Sequence, residues 1–442
     1  MSVTRITIAI FLLSACVLGQ DKFFPLPSVE DPASLGVGVQ RTMTLLATST
    51  PEHRNKVRIL FYGQSITVQD WTKKVTEDLR ARFPNADLEI ENRAIGGFAS
   101  QALIRPAEHD LYPFYPDLLI FHVYGANGEY EQIIKNVRSR TTAEVLMQKD
   151  HVTKWPQEKP DEKADKGMWW DYMMNHVFLP KIATTYGCTL LDVRSAWLKY
   201  LKENKLEPKA LLSDDVHLND HGNYLLSEII KRHLVYRPEL PNESWKNLVR
   251  TYEVGKDVDW KDGKLVLEFE GNRVDAMASK GEGSAQVKID GKKPSEFPEC
   301  YRITRSQPGP WSPMFISRVD HEKPLVIEDW TLKVESVNTD GKTFKYSVKG
   351  SVTGEDGSGE SDKPFTSNSG RVKLSKDYFF IPKAVTAGYE SKWKVLPMFV
   401  DEYKASDAIT TLAQGFPNGK HTLELTGQPP IKEIRIYNPP IK

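Results

Sequence analysis

Ser65 stands in the run GQSIT, directly behind the apolar stretch VRILFY at residues 57–62, and His217 stands three residues after Asp214 in SDDVHLNDHG. A serine hydroxyl is a weak nucleophile. It becomes competent to attack an acyl carbon when an imidazole takes its proton and a carboxylate fixes that imidazole in one tautomer. Three-residue spacing lets Asp214 turn back onto the His217 ring, with Asp215 as the neighbouring alternative. A serine behind a strand also opens a helix, where it can serve simply as a cap; there, unpaired N–H groups face the position an oxyanion would take.

Two further segments follow apolar runs and carry suitable donors: NRAIGGFAS at residues 92–100 and YGANGE at residues 124–129. Glycine lets a backbone N–H approach a ligand closely, and an asparagine amide donates from its side chain. Each segment alone also reads as a plain turn. His217 and His221 are four apart and offer a zinc reading, but no HExxH pattern, cysteine pair or acidic cluster adds a third ligand. No metal and no cofactor is expected, and His221 reads as a capping or surface residue.

In chain order, Gly-x-Ser at 63–65, the glycine block, Gly-x-Asn at 125–127 and Asp-x-x-His at 214–217 resemble the four blocks of the SGNH, or GDSL-like, hydrolases. The resemblance implies Ser65 as nucleophile, Asp214 and His217 as the acid–base pair, and an oxyanion hole from the N–H groups of Ser65 and Gly97 and the side chain of Asn127. Two positions depart from the family pattern: Gln64 replaces the usual Asp before the serine, and Gly128 the usual Asp after the asparagine. The GQS variant is similar to sialate O-acetylesterase-type members, which points to acetylated sugars. The expectation is a serine esterase acting on O-acyl, favouring O-acetyl, groups of carbohydrate. The alternatives are a lipase or lysophospholipase-type esterase, and a non-catalytic carbohydrate-binding surface protein on the same scaffold.

Positioning these residues calls for strand–helix units. The runs at 57–62, 88–93, 117–124, 143–147 and 189–193 predict five parallel strands, and Trp71, Val75 and Leu79 predict a helix that stops near Pro84. This gives a three-layer α/β domain over residues 56–240, preceded by a lead-in segment at 20–55. The polar stretch 149–167 predicts a surface loop; as a lid, it would let Trp155, Trp169 and Trp170 hold a sugar ring. After Pro241, alternating segments such as KLVLEFE, AQVKIDG, TLKVESV, HTLELTG and IKEIRIY predict an all-β sandwich over 250–442. DGSGESD at 356–362 predicts a flexible hairpin or inter-strand loop. The closing strands look like those of accessory sandwiches attached to secreted hydrolases. Trp260, Trp311, Trp330 and Trp393 can stack on sugar there or pack in the core.

The chain has 442 residues, with 59 basic and 59 acidic side chains, so no net field draws it toward nucleic acid. Arg5 followed by an apolar run to Leu13 predicts an export signal over residues 1–19, too short to span a bilayer core of about 30 Å as a helix. Leu13-Ser14-Ala15-Cys16 resembles a bacterial lipobox, which would make Cys16 a lipidated N-terminus and a membrane tether; the alternative is cleavage after Gly19. Cys188 and Cys300 are too few for a disulfide framework, and Cys188 reads as a small buried hydrophobe.

Overall fold

The computed structural model describes residues 23–29, 31–240, 247–279, 281–307, 314–381, 384–406 and 409–442. The export segment, Cys16 and Trp311 lie outside the described residues. Five strands, β1 (Lys56–Gly63), β2 (Asp87–Asn92), β3 (Leu118–His122), β4 (Glu144–Gln148) and β5 (Thr189–Leu191), form one parallel sheet in the order β2-β1-β3-β4-β5. Every residue of β3 and β4 is buried, as expected of parallel strands covered on both faces. Alternation along β1 sends Val57, Ile59 and Phe61 into one core and Leu60 and Tyr62 into the other.

The helices that cover the sheet are α1 (Gln40–Ala47), α2 (Ser65–Val68), α3 (Trp71–Arg82), α4 (Ser100–Leu103), α5 (Ala107–Asp110), α6 (Asn127–Arg140), α7 (Lys166–Met173), α8 (Leu179–Tyr186), α9 (Val193–Glu203) and α10 (Asp220–His233). Helices α1, α3, α9 and α10 pack on one face, and α6 and α8 on the other. The lead-in segment is part of this layer: Val39, Met43 and Leu46 are buried in it. Val39 cannot cap α1, and the buried Glu144 carboxylate does so instead, accepting from Arg41 N and Thr42 N at 2.8 Å each. No helix among the described residues is long and apolar enough to cross a membrane.

The rest of the chain is antiparallel. An outer six-stranded sheet runs β16-β8-β17-β7-β18-β6, from β6 (Val249–Glu253), β7 (Lys264–Ala278), β8 (Ser284–Ile289), β16 (Glu402–Lys404), β17 (Thr410–Gly427) and β18 (Ile431–Tyr437). Between β8 and β16 lies an inserted unit with its own five-stranded sheet, β12-β11-β10-β15-β9, built from β9 (Tyr301–Ile303), β10 (Asp329–Val337), β11 (Phe344–Gly350), β12 (Gly354–Glu360) and β15 (Glu390–Pro397). A short pair, β13 (Phe365–Thr366) and β14 (Lys373–Leu374), completes it. Each sheet has its own apolar core. The insertion opens and closes at one place, because β9 pairs with β15 and Met398 N donates to Cys300 O at 2.9 Å.

Three local expectations change. Most of the DGSGESD segment is strand β12, not a loop, because its backbone pairs with β11 and the missing side chains of Gly357 and Gly359 leave room for Asn368 and Tyr346. The stretch after β4 is not all surface: His151 and Val152 are buried beneath it. Cys188 is only half-buried, whereas Cys300 is buried, and both thiols are free. Burial pushes them up to about 11 and about 12. Trp330 and Trp393 are core residues stacked on each other at 6.3 Å, and Trp260 packs against the outer sheet's core.

Candidate active site

Because β2 and β3 flank β1 in a parallel sheet, the loops that follow all three open on one edge. Gly63 pairs with His122, and a Cβ on Gly63 would lie 2.0 Å from the His122 carbonyl oxygen, so only glycine fits this crossing. The chain then enters Ser65, the first residue of α2. That helix is a single turn, separated from the expected Trp71–Arg82 helix α3 for two reasons: Trp71 Nε1 donates to the Ile66 carbonyl at 2.7 Å, and Gln69 is extended. Stabilisation of negative charge here therefore rests on individual N–H groups rather than on a long macrodipole.

Asp214 Oδ1 accepts from Val216 N and His217 N at 2.7 Å each, which folds the tetrapeptide back on itself. Asp214 Oδ2 then lies 2.8 Å from His217 Nδ1, and His217 Nε2 lies 2.9 Å from Ser65 Oγ. The backbone and side-chain bonds from His217, with the Val216 N–H, bring the Asp214 carboxyl down to about 2, so it is charged at any pH where imidazole can act as a base. Asp215 takes no part in these bonds. His217 and His221 do not converge on a common point: His221 Nε2 bonds Tyr200 Oη at 2.7 Å, and its ring stacks on Phe23 at 4.4 Å. His221 is thus half-buried, and the α10 cap is Asn219, which accepts from His221 N and Gly222 N.

The loops after β2 and β3 are laced together. Ser100 N donates to Tyr124 O at 2.9 Å, Ser100 Oγ to Ala126 O at 2.7 Å, and Gln101 Oε1 accepts from Ala126 N at 3.1 Å. Ser100 and Gln101 therefore fix the Gly97 loop against Asn127. Gly97 has φ +79°, a conformation that excludes most other residues, and a Cβ added at Gly96, Gly97 or Gly128 would meet nothing within 4 Å. Asn127 opens α6 and is exposed, and its amide makes no hydrogen bond to another side chain or backbone group among the described residues. The site is open: the side chains of His217 and Asp214 are 39% and 57% exposed.

Other side chains that hold this geometry left no motif in the sequence. Gln69 clasps Leu218 from both sides, donating Nε2 to its carbonyl at 2.9 Å and accepting its N–H at 3.0 Å. Asn223 Oδ1 accepts from Trp71 N at 3.0 Å and ties the same two loops. Of the three tryptophans expected near substrate, Trp170 is exposed and sets its edge against Tyr124 at 5.5 Å, two residues before Ala126. Trp169 stacks on Tyr172. Trp155 is exposed and donates its indole N–H to Glu207 at 2.6 Å, and no ring contact joins it to the other two among the described residues.

The β region touches the back of this site. Phe380 packs on Phe98, beside Gly97, with ring centroids 4.7 Å apart, and Met314 is buried in the same core. Arg305 reaches Asp110 of α5, its Nε lying 3.1 Å from Oδ2. His109 is held down to about 4 by burial and stays neutral, so its Nε2 accepts from Val319 N at 3.1 Å. The outer sheet adds Tyr115 Oη to Asn272 Oδ1 at 2.7 Å and Gln414 Nε2 to the Pro113 carbonyl at 2.9 Å.

The fold and site define an α/β unit with Ser65, His217 and Asp214 hydrogen-bonded in series at the C-terminal edge of its parallel sheet, followed by antiparallel β-sheets of six, five and two strands. No protein-family model matches the sequence, and no curated protein does. Among solved structures the chain is similar to Axe2, an acetylxylan esterase from Geobacillus stearothermophilus, at 18% identity over 41% of this chain and 95% of that one, TM-score 0.35. It is similar to the acetyl xylan esterase AlAXEase at 23% identity over 39% and 98% of the two chains, TM-score 0.34. It is also similar to a two-domain esterase, CEX, active on acetylated mannans and co-crystallised with mannopentaose, at 14% identity over 91% and 95%, TM-score 0.36.

Proposed function

We propose that this chain is an SGNH-type serine esterase that removes O-acetyl groups from carbohydrate. The observation that carries the reading is the continuous relay from Asp214 Oδ2 through His217 to Ser65 Oγ, at 2.8 and 2.9 Å. Ser65 Oγ attacks the ester carbon while His217 Nε2 takes its proton, and the Asp214 carboxylate stabilises the imidazolium. The oxyanion is received by the Ser65 and Gly97 N–H groups and the free Asn127 amide. Collapse expels the sugar oxygen, which takes the proton from His217. Water, deprotonated by His217, then attacks the acyl carbon, and collapse frees acetate as Ser65 Oγ takes the proton back from His217.

The exposure of His217 and Asp214 suits an acyl group carried on the outside of a polymer, whereas a long acyl chain calls for a deep apolar pocket. Export by an N-terminal signal cleaved before Cys16, which would make Cys16 a lipid tether, would place the enzyme where such polymers arrive. The test is a panel of chromogenic esters of increasing chain length. The expected result is fastest turnover of the acetyl ester, lost by several orders of magnitude in Ser65→Ala and in His217→Ala. Preference for long acyl chains would identify a lipase, and no turnover of any ester would identify a binding protein.

A further inference from the structure

Beside the candidate site sits a largely buried cluster that the chemistry above does not use. Asp150 and His151 follow β4, and His122 ends β3. Asp150 Oδ1 lies 3.2 Å from His122 Nε2 and 2.8 Å from His151 Nδ1, the latter a charge contact without hydrogen-bond alignment. His122 and His151 are each 3% exposed. The ring of His151 points its other nitrogen, Nε2, at the Val216 carbonyl, 2.8 Å away, and Val216 is the residue before His217. The backbone of His122 faces the other loop: its carbonyl accepts from Gln64 N and Thr67 Oγ1 at 3.3 Å each, on either side of Ser65. One carboxylate thus joins the loop that carries the serine to the loop that carries the histidine.

We propose that His151, anchored by Asp150, is a positioning residue for His217, holding the Val216 carbonyl and so fixing His217 Nε2 against Ser65 Oγ. The inference rests on the esterase reading above only for its kinetic arm. Burial opposes a charge on His151, but the Asp150 carboxylate and the Val216 carbonyl outweigh it and hold its imidazole above the ordinary range. Burial would likewise raise Asp150, yet His151 and His122 hold it well below the usual carboxylate range. A charged imidazole is a stronger donor to a carbonyl than a neutral one. Three further groups face the cluster: Arg194 pairs with Asp171 and only grazes the His151 carbonyl at 3.5 Å, Asn175 Oδ1 accepts from Asp150 N at 2.9 Å, and Trp197 packs on the His151 ring at 5.5 Å. Together with the Gln69 clasp on Leu218, this leaves His217 held at both of its neighbours.

The test compares the full-length protein with His151→Phe, which keeps a ring but no donor, His151→Gln, whose amide nitrogen can reach the same carbonyl, and Asp150→Asn. His151→Phe is expected to lower kcat on a chromogenic acetyl ester by about 10- to 100-fold with KM nearly unchanged, as a displacement of about 1 Å at a catalytic group does. His151→Gln should restore most of the loss, and Asp150→Asn should fall between. A crystal structure of His151→Phe should show the 213–218 segment shifted and the contact from His217 to Ser65 opened. If kcat is kept, or the loss appears only in KM, while that contact is unchanged in the crystal, the proposal is overturned. Should the wild type hydrolyse no ester, the functional reading fails, and the crystallographic arm and the Asp150→Asn structure still decide the positioning. If Ser65→Ala abolishes turnover but His151→Phe does not lower it, only the positioning role is lost.

Discussion

Replacing Arg305 by alanine should loosen the inserted β unit from the α/β unit. Arg305 is 17% exposed and Asp110 only 6%, and Arg305 spends both Nε and Nη2 on that carboxylate, with Nη2 also reaching the Arg93 carbonyl at 3.1 Å. Removing one partner of a buried pair costs about 3–5 kcal/mol, because the other charge is left without compensation. Arg305 is not fully buried and Arg93 remains near Asp110, which puts this variant at the low end, about 3 kcal/mol. Burial already holds the Asp110 carboxyl above the ordinary range despite Arg305 and Arg93. Without Arg305 it should rise further. A carboxyl whose folded pKa is raised takes up a proton more readily when folded, so the penalty is full at neutral pH and shrinks as pH falls toward the unfolded value of about 4. Urea unfolding followed by tryptophan fluorescence, with Trp330 and Trp393 lining the adjacent cavity, should show a larger deficit at about pH 8 than at about pH 5. Asp110→Asn in the Arg305→Ala background should recover part of it. A deficit under about 1 kcal/mol, or one that does not change with pH, would refute the claim that an uncompensated carboxylate anchors this interface.

Asn127→Ala should lower kcat by about 10²- to 10³-fold with KM little changed, because the amide is asked to bind charge that exists only in the transition state. An effect confined to KM would remove it from the oxyanion hole. The mature N-terminus of protein recovered from an exporting host should carry a diacylglyceryl mass on Cys16; mass spectrometry finding a free N-terminus at Gln20 would show a released protein instead.

The central strands β1, β3 and β4 were legible because strands covered on both faces are near-continuous apolar runs, whereas the edge strands β2 and β5 are only half-buried; all five observed ends differ from the sequence runs by only a residue or two. The relay was legible because Asp214 and His217 lie within one turn of chain and Ser65 follows a strand directly. What supports the relay was not. Gln69 and Leu218, Ser100 and Ala126, His151 and Val216 are side chain to backbone bonds between distant segments, and a backbone partner imposes no residue type that a reader could recognise. The strand at Gly354–Glu360 was missed for a related reason. Its glycines signal a flexible loop when read alone, and only the Asn368 and Tyr346 side chains lying where those of Gly357 and Gly359 would stand explain these two.

The way the inserted unit closes on itself bears on how the chain folds. The outer sheet pairs residues as far apart as Val249 with Tyr437 and Lys264 with Thr426, contacts that a chain reaches slowly. The inserted unit needs none of the outer strands for its own sheet and core, and pairing of β9 with β15 brings Cys300 and Met398 within one hydrogen bond. Once that hairpin-like neck has formed, the loop that β8 and β17 must close is shortened by about two doublings, which lowers the entropic cost by roughly 1 kcal/mol. Folding should therefore run from the inside outward, with the inserted unit ordering first and the outer sheet closing around its neck, and a nascent chain released before Glu390 would hold neither sheet complete.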